Sequence, residues 1–297
     1  MRFVKALGRY AFLLLLAAAL LAGDLILTKI NPVKDMTCVW RNDFELIQVA
    51  NPDMTFDKVF YGSSAVTASY IEGRNDTGYA NLGIDYGTVK DLYEMLEQGW
   101  VTINSDLVIG MNEIFFLDTL PTNETYPWHR EWYEPYVYFH RDRLNRLITL
   151  GLDSMMDGGS FFYADTSTQQ RTVYRGALSD EDLQKSIDSM VERFGNVTLD
   201  DCKENFAALE QLVAYCEEHG IRLRGVWMPW NEKMEIYPAA QAIMDHADEM
   251  LAEMGIEVLD LTRAVPVQYF YDTGHLDYDT GAPWFTDFID PWLAEEG

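Results

Sequence analysis

Three polar residues of this chain have the types and the spacing that nucleophilic catalysis requires. Ser64 follows residues 58–62, a β-branched and aromatic run that predicts a strand, at a turn of small residues. Far along the chain, Asp272 precedes His275 on a glycine-containing turn. A serine nucleophile needs a base to take its proton, and that base needs a carboxylate to orient it. The three residues therefore predict a Ser–His–Asp arrangement, whereas the alternative is that Ser64 only caps the helix that follows it.

Hydrogen-bond donors for a tetrahedral oxyanion are also present in the sequence. Asn112 follows a predicted buried strand, and its side-chain amide is one candidate donor. The backbone N–H of Ser64 and an N–H from the loop that carries Gly83 and Gly87 are the others. The alternative for Asn112 is a turn residue that satisfies backbone groups at the end of the strand.

Patterns typical of helices and strands alternate along most of the chain. Helices of crossover length between successive strands predict an α/β fold, a mostly parallel sheet with helices on both faces in three layers. Because parallel strands end at the same edge of a sheet, Ser64, Asn112 and His275 are expected to meet there. The predicted strands lie within residues 58–62, 79–87, 105–110, 221–228 and 256–261. The predicted helices lie at residues 88–98, 141–156, 199–219, 238–254 and 282–293, and another begins at Ser179.

Residues 119–180 interrupt this alternation with prolines and a dense group of aromatic side chains. We expect them to form an insertion over the carboxyl edge of the sheet, within a catalytic domain that spans residues 56–297. Exposed aromatic rings at that edge could stack on sugar rings, so Trp128, Trp132 and Trp230 are the predicted substrate-binding residues. The alternative is that the aromatic side chains pack the insertion onto the core.

The first residues of the chain have the pattern of a membrane-targeting segment. Arg2, Lys5 and Arg9 precede a run that carries no charge. Basic residues on this flank orient such a segment with its N-terminus in the cytoplasm, so the remainder would lie outside the cytoplasmic membrane. We interpret residues 1–30 as an uncleaved signal anchor, a single transmembrane helix, and residues 31–55 as a juxtamembrane stalk. A cleaved signal peptide is the alternative.

Composition limits the classes of ligand that the chain is expected to bind. The net charge of -26 argues against binding of nucleic acid and against purely electrostatic binding to anionic lipid. Three cysteines are too few for a disulfide framework, and two of them, Cys202 and Cys216, are expected to be core thiols, with Cys38 in the predicted stalk. The five histidines are scattered, so we expect no metal site and no cofactor.

Four short blocks of this chain resemble, in the same order, those of the SGNH (GDSL-like) hydrolase superfamily. Residues 62–64 read Gly-Ser-Ser where that family has Gly-Asp-Ser, which makes Ser64 the matching nucleophile. Residues 81–87 resemble the second block, whose glycine donates an oxyanion-hole N–H. Residues 110–113 resemble Gly-x-Asn-Asp, and residues 272–275 match Asp-x-x-His. The resemblance implies a flavodoxin-like three-layer fold and a serine ester hydrolase or O-acyltransferase.

The chain departs from the pattern of that family at three places. Ser63 replaces the usual aspartate of the first block, and Glu113 replaces the last aspartate of the third block. The loop glycine is displaced by one residue, so the second oxyanion donor could be Tyr86 or Gly87 rather than Gly83.

The N-terminal anchor and the Gly-Ser-Ser variant look more like one branch of the superfamily. Its members are membrane-anchored, extracytoplasmic bacterial proteins of cell-surface polymer O-acylation, including those of alginate O-acetylation and teichoic-acid D-alanylation. The resemblance implies an acyl-serine enzyme that acts on O-acyl groups, O-acetyl above all, of a cell-envelope glycan, with a multi-pass membrane O-acyltransferase as a partner. The alternative is a catalytically inactive, anchored glycan-binding or scaffold protein.

Overall fold

The computed structural model describes residues 2–30, 42–120, 126–129, 133, 142–159, 171 and 173–295. The chain divides into two compact units. The first comprises Met1–Asn42 and Glu124–Gln170, and the second comprises Asp43–Asn123 and Arg171–Gly297.

Helices and strands alternate along the described chain. The helices are α1 (Arg2–Ile30), α2 (Asp43–Ala50), α3 (Ser64–Ser69), α4 (Val89–Glu97), α5 (Asp142–Met156), α6 (Asp180–Phe194), α7 (Lys203–His219), α8 (Pro238–Glu253) and α9 (Gly281–Leu293). The strands are β1 (Thr55–Gly62), β2 (Tyr79–Gly83), β3 (Thr102–Met111), β4 (Arg222–Trp227) and β5 (Glu257–Asp260). Short 3-10 turns lie at Glu113–Phe116, Pro127–His129, Leu199–Cys202 and Val267–Tyr269.

The first unit contains helices α1 and α5. Within α1, Tyr10–Ile30 is long and apolar enough to cross a membrane, and it is the one described helix with that property. Residues 11–22 of α1 are exposed. Length and composition are therefore compatible with a single membrane span, and a signal sequence satisfies the same criteria.

The second unit is built on a five-stranded sheet in the order β2-β1-β3-β4-β5, and every strand pair is parallel. The predicted α/β fold with a mostly parallel sheet is therefore confirmed. Phe60, Val108 and Val226 are buried on one face of the sheet, in a cluster with Phe285 and Ile289 of α9. Neighbouring residues of these strands point to the opposite face, and Val59, Leu107 and Ile109 are fully buried there too, so both faces are covered.

Glycines allow helix α3 to approach the carboxyl ends of the strands. Gly62 pairs in register with Gly83 on one side and with Gly110 on the other. A Cβ atom on Gly62 would overlap the Val66 side chain and lie 2.7 Å from the carbonyl oxygen of Gly110. This close approach places Ser64, the first residue of α3, directly above the end of the sheet.

Local signals explain where several helices begin and end. Thr88 and Asp91 form a capping box at the start of α4, and the Ser179 side chain accepts from the Asp182 N–H at the start of α6. Gly220 ends α7 in the left-handed conformation with φ 68°.

The predicted stalk at residues 31–55 is wrong at its carboxyl end. Helix α2 belongs to the second unit, with Phe44 and Ile47 buried, and Thr55 opens strand β1. The Asp43 side chain accepts from the Asp85 N–H at 3.0 Å. Because these contacts join α2 to the unit that contains the sheet, that unit begins at residue 43, whereas the predicted domain begins at residue 56. Residues 31–41, and with them Cys38, lie outside the described residues.

Cys202 and Cys216 are both buried free thiols, as expected. Burial raises the pKa of each to about 12, so neither is a thiolate at neutral pH.

Candidate active site

Ser64 lies at the turn between β1 and α3. Ser63, not Ser64, is the N-cap of α3, and its hydroxyl accepts from the Ala65 N–H at 3.4 Å. The alternative interpretation of Ser64 as a helix cap is therefore wrong. The Ser64 hydroxyl is left to bond elsewhere, and its backbone N–H is one of the first N–H groups of a helix, which have no intrahelical acceptor.

The fold brings Ser64 and His275 together although they are 211 residues apart in the sequence. Ser64 Oγ lies 2.9 Å from His275 Nε2, and His275 Nδ1 lies 2.8 Å from Asp272 Oδ2. The predicted Ser–His–Asp contacts are thus present in order. With Nδ1 protonated and donating to Asp272, Nε2 is the acceptor for the serine proton.

The Asp272 carboxylate is held by the turn that carries it. Its Oδ1 accepts from the Gly274 N–H at 3.0 Å and from the His275 N–H at 2.8 Å, while Oδ2 faces the imidazole. Burial by itself raises the pKa of Asp272. The hydrogen bonds from the imidazole and the two backbone N–H groups outweigh burial, so its pKa lies below the ordinary value. Asp272 is therefore an anion at neutral pH.

Asn231, in the loop after β4, makes two hydrogen bonds to the turn that carries Asp272 and His275. Its side-chain amide donates to the backbone carbonyl of Asp272 at 2.9 Å, and its backbone N–H donates to the carbonyl of Thr273 at 2.9 Å. Asn231 is 3% exposed. Sequence reasoning missed this role, although the position of Pro229-Trp230-Asn231 after a predicted strand was the signal that could have found it.

Tyr174 covers the imidazole of His275. Their ring centroids are 4.0 Å apart and the planes differ by 16°, which is a stacked contact. The Tyr174 carbonyl accepts from the Tyr278 N–H at 2.8 Å, and the Gly176 N–H donates to Asp277 Oδ1 at 2.6 Å. The sequence carried no signal for this contact, because residues 160–176 have no helical or strand periodicity.

The Asn112 side chain has a defined orientation at the end of β3. Its Oδ1 accepts from the Phe115 N–H at 3.0 Å, which places the amide NH₂ on the side of Ser63 Oγ, 3.4 Å away. An amide nitrogen carries two hydrogens, so one remains for a ligand at Ser64. Asn112 also caps the 3-10 turn that follows it, so the turn role and the donor role coexist.

The structure contradicts the prediction that Gly83 or Gly87 supplies an oxyanion donor. The Gly83 N–H donates to Asn81 Oδ1 at 2.9 Å, and the Gly87 N–H donates to the Ile84 carbonyl at 3.0 Å. Tyr86, between them, lines the pocket with φ 53°, and its backbone N–H donates to no acceptor among the described residues. Tyr86 is therefore the loop residue whose N–H is left for a ligand.

Ser64 and His275 line a pocket of about 240 Å³ in the second unit. Trp230, which is 5% exposed, forms part of its wall, as do Met190, Phe194 and Met228. Trp128 belongs to the first unit, where it is buried and stacks on Tyr126 at 4.8 Å. Its role in substrate binding stays a prediction, and Trp132 lies outside the described residues.

Glu113 is a buried carboxyl in the pocket wall, next to Asn112. It is 1% exposed and accepts from the Tyr237 hydroxyl at 2.9 Å. Burial raises its pKa from an ordinary 4.5 to about 7, against the opposing effect of this hydrogen bond.

Within the described part of the chain, no cluster of three or more histidine, cysteine or acidic residues could hold a metal ion.

Comparisons with known proteins give only distant similarity. No family model matches the chain, and no curated protein matches it in sequence. The crystal structure of an acetyl xylan esterase, AlAXEase, is 11% identical with a TM-score of 0.35, covering 80% of this chain and 100% of that one. A structure from Bacteroides fragilis described as an acylhydrolase is 12% identical with a TM-score of 0.37, covering 86% and 100%. A carbohydrate acetylesterase family member from Sinorhizobium meliloti is 10% identical with a TM-score of 0.32, covering 80% and 99%.

Proposed function

We propose that this chain is a serine-dependent enzyme of acyl esters, an esterase or an O-acyltransferase. The observation that supports this most directly is the unbroken series of hydrogen bonds from Ser64 through His275 to Asp272. In the first step His275 Nε2 takes the Ser64 proton while Oγ attacks the acyl carbon. The ester C–O bond then breaks, and the leaving alcohol oxygen takes the proton from the imidazolium.

The oxyanion formed in this step requires donors that are in place before the reaction. We assign them to the Asn112 side-chain amide and the backbone N–H groups of Ser64 and Tyr86. The Ser64 and Tyr86 N–H groups make no hydrogen bond to a described residue, and the Asn112 NH₂ lies beside the serine turn. Asp272 keeps His275 in the tautomer that accepts at Nε2 and stabilises the imidazolium.

The second step transfers the acyl group from Ser64 to an acceptor. His275 Nε2 takes a proton from water or from a sugar hydroxyl while the acceptor oxygen bonds to the acyl carbon. The bond between the acyl carbon and Ser64 Oγ then breaks, and Oγ takes the proton from the imidazolium. Water makes the protein an esterase, and a sugar hydroxyl makes it an O-acyltransferase. Following the sequence resemblance, we place this chemistry on O-acetyl groups of a cell-surface glycan outside a bacterial cytoplasmic membrane, with α1 as the anchor and a multi-pass O-acyltransferase as a partner.

A fluorophosphonate probe tests the nucleophile. The full chain in detergent should be labelled on Ser64 and should hydrolyse an aryl acetate, whereas Ser64→Ala should do neither. Ser63→Ala is the matched control, because it removes the neighbouring hydroxyl and should still be labelled. A folded wild-type protein with neither labelling nor turnover would favour the inactive scaffold.

A reporter fused after Gly297 tests the location. An alkaline phosphatase, which is active only outside the cytoplasm, should be active there. Activity of a cytoplasm-only reporter at the same position would contradict both the topology and the glycan substrate.

A further inference from the structure

Tyr174 stacks on the base of the proposed reaction, and the reaction as described does not use it. Among the described residues its hydroxyl has no hydrogen-bond partner, so the ring is what contacts His275. Burial raises the pKa of the Tyr174 phenol well above its ordinary value, so the hydroxyl stays protonated and uncharged at neutral pH.

The two hydrogen bonds of His275 leave one motion of its ring uncontrolled. Contacts at Nδ1 and Nε2 lie in the plane of the imidazole and fix its position between Asp272 and Ser64. These two hydrogen bonds only weakly restrain rotation of the imidazole plane about the line that joins Nδ1 and Nε2. A parallel ring whose centroid is 4.0 Å away blocks that rotation on one side.

The contact also matches the charge that develops during the reaction. When His275 takes the serine proton it becomes an imidazolium, and a cation within about 6 Å of an aromatic centroid is stabilised by the ring face. The Tyr174 ring therefore favours the protonated state that forms in the transition state, in addition to holding the imidazole plane.

Backbone hydrogen bonds bind Tyr174 to the catalytic turn on both of its sides. We call Arg171 together with residues 173–178 the return segment. The Leu178 N–H donates to the carbonyl of Tyr271, just before Asp272, at 2.9 Å. The Tyr174 carbonyl accepts from the Tyr278 N–H, just after the turn, at 2.8 Å. The ring and the imidazole are thus carried by one hydrogen-bonded unit.

The same segment is anchored to the elements that carry the other reacting groups. Arg171 donates to the Asn81 carbonyl at the end of β2 at 2.8 Å and to the Thr67 hydroxyl of α3 at 3.0 Å. Strand β2 leads into the Tyr86 loop, and α3 begins with Ser64. The return segment therefore connects the base, the nucleophile helix and the donor loop.

We propose that Tyr174 is a positioning residue for His275, and that the return segment is the element that keeps the imidazole plane aligned with Ser64. This inference rests on the proposed serine chemistry. It predicts that the aromatic ring is required and that the hydroxyl is dispensable.

Four variants test the proposal in the full-length protein. Tyr174→Phe keeps the ring and should retain kcat within about twofold. Tyr174→Leu keeps bulk without a π face and Tyr174→Ala removes both, and each should lower kcat by roughly tenfold to a hundredfold with little change in KM, the scale of a small misplacement of a reacting group. Tyr215→Ala is the matched control, because Tyr215 stacks on His219 at 4.0 Å and 18° on α7, outside the site, and should leave kcat unchanged.

A spectroscopic measurement separates this proposal from the proposed reaction. The proton shared by His275 Nδ1 and Asp272 should give a low-field proton resonance in the wild type and in Tyr174→Phe, and it should broaden in Tyr174→Leu. This signal needs no turnover, so it reports on the alignment even if the wild type were inactive. A sharp resonance and a wild-type kcat in folded Tyr174→Leu would overturn the proposal, as would a loss confined to KM. If Tyr174→Ala fails to fold, the comparison of Leu with Phe decides.

Discussion

The side-chain amide of Asn231 donates to the backbone carbonyl of Asp272 at 2.9 Å, so the loop after β4 supports the turn that carries His275, the proposed base. The Asn231 Oδ1 atom accepts from the Lys233 N–H at 3.0 Å, which fixes which end of the amide faces Asp272. Asn231 touches no reacting atom. It acts through the position of the Asp272–His275 turn.

Asn231→Ala should lower both stability and turnover. The change removes the hydrogen bonds that Asn231 donates to the Asp272 carbonyl and accepts from the Lys233 N–H, both part-buried, which together cost about 1–3 kcal/mol of unfolding free energy. The catalytic turn should then shift and kcat should fall, measured with a melting curve and an aryl acetate assay. Gln241→Ala, which removes an amide on the exposed face of α8, is the control and should change neither. Wild-type kcat in a folded Asn231→Ala protein would show that the Asp272–His275 turn keeps its conformation without Asn231.

Asp272→Asn should leave the fold intact and reduce kcat by a factor on the order of 10⁴, because the amide favours the wrong tautomer of His275. The measurement is kcat beside the rate of Ser64 labelling by a fluorophosphonate. Asp287 provides a control: its exposed carboxylate pairs with Arg74 and does not line the pocket, so Asp287→Asn should retain most activity. Full activity of Asp272→Asn, together with activity of His275→Ala, would contradict the proposed Ser64–His275–Asp272 site.

Asn112→Ala should raise the barrier of the chemical step by about 3–4 kcal/mol, with the loss on kcat rather than KM, because the oxyanion exists only in the transition state. The structure adds a cost in stability of about 1 kcal/mol, since Asn112 Oδ1 caps the turn at Phe115. Asn112→Asp separates the two roles, because a carboxylate keeps the cap and lacks the donor. The measurements are kcat and the melting temperature of both variants. An Asn112→Asp protein with normal kcat would show that Asn112 has only the structural role.

Glu113 should make the stability of the folded protein depend on pH. Its pKa is raised from 4.5 to about 7 on folding, so the folded state binds more protons than the unfolded state between these values. The contribution of Glu113 is therefore fully present below pH 4.5 and is lost as the pH rises to about 7, by about 3 kcal/mol. Denaturant unfolding at pH 5 and pH 8 measures it.

The matched variant for this measurement is Glu113→Gln, which keeps an acceptor for the Tyr237 hydroxyl and has no titration. Its unfolding free energy should fall less than that of the wild type between the two pH values. Equal slopes for the two proteins would mean that Glu113 stays ionised in the folded state.

The residues of the candidate site could be proposed from the sequence because their signals are local. Ser64 and Asn112 each follow a strand with a clear apolar pattern, and Asp272 and His275 share one short turn. An alternating order of helices and strands implies a parallel sheet, and a parallel sheet brings the ends of its strands to one edge. Their location at one edge of the sheet was therefore predictable from the order of the elements, and the contacts among them were not.

Only the tertiary structure decided which groups are free to act. Gly83 and Gly87 match a glycine pattern, yet both N–H groups are used by Asn81 and Ile84, which leaves Tyr86. Whether a backbone N–H can donate to a ligand depends on every acceptor near it in the fold, and a sequence pattern carries no information on those acceptors. The roles of Tyr174 and Asn231 have the same origin, since each contacts a turn that lies far from it in sequence, and such contacts are set by packing rather than by periodicity.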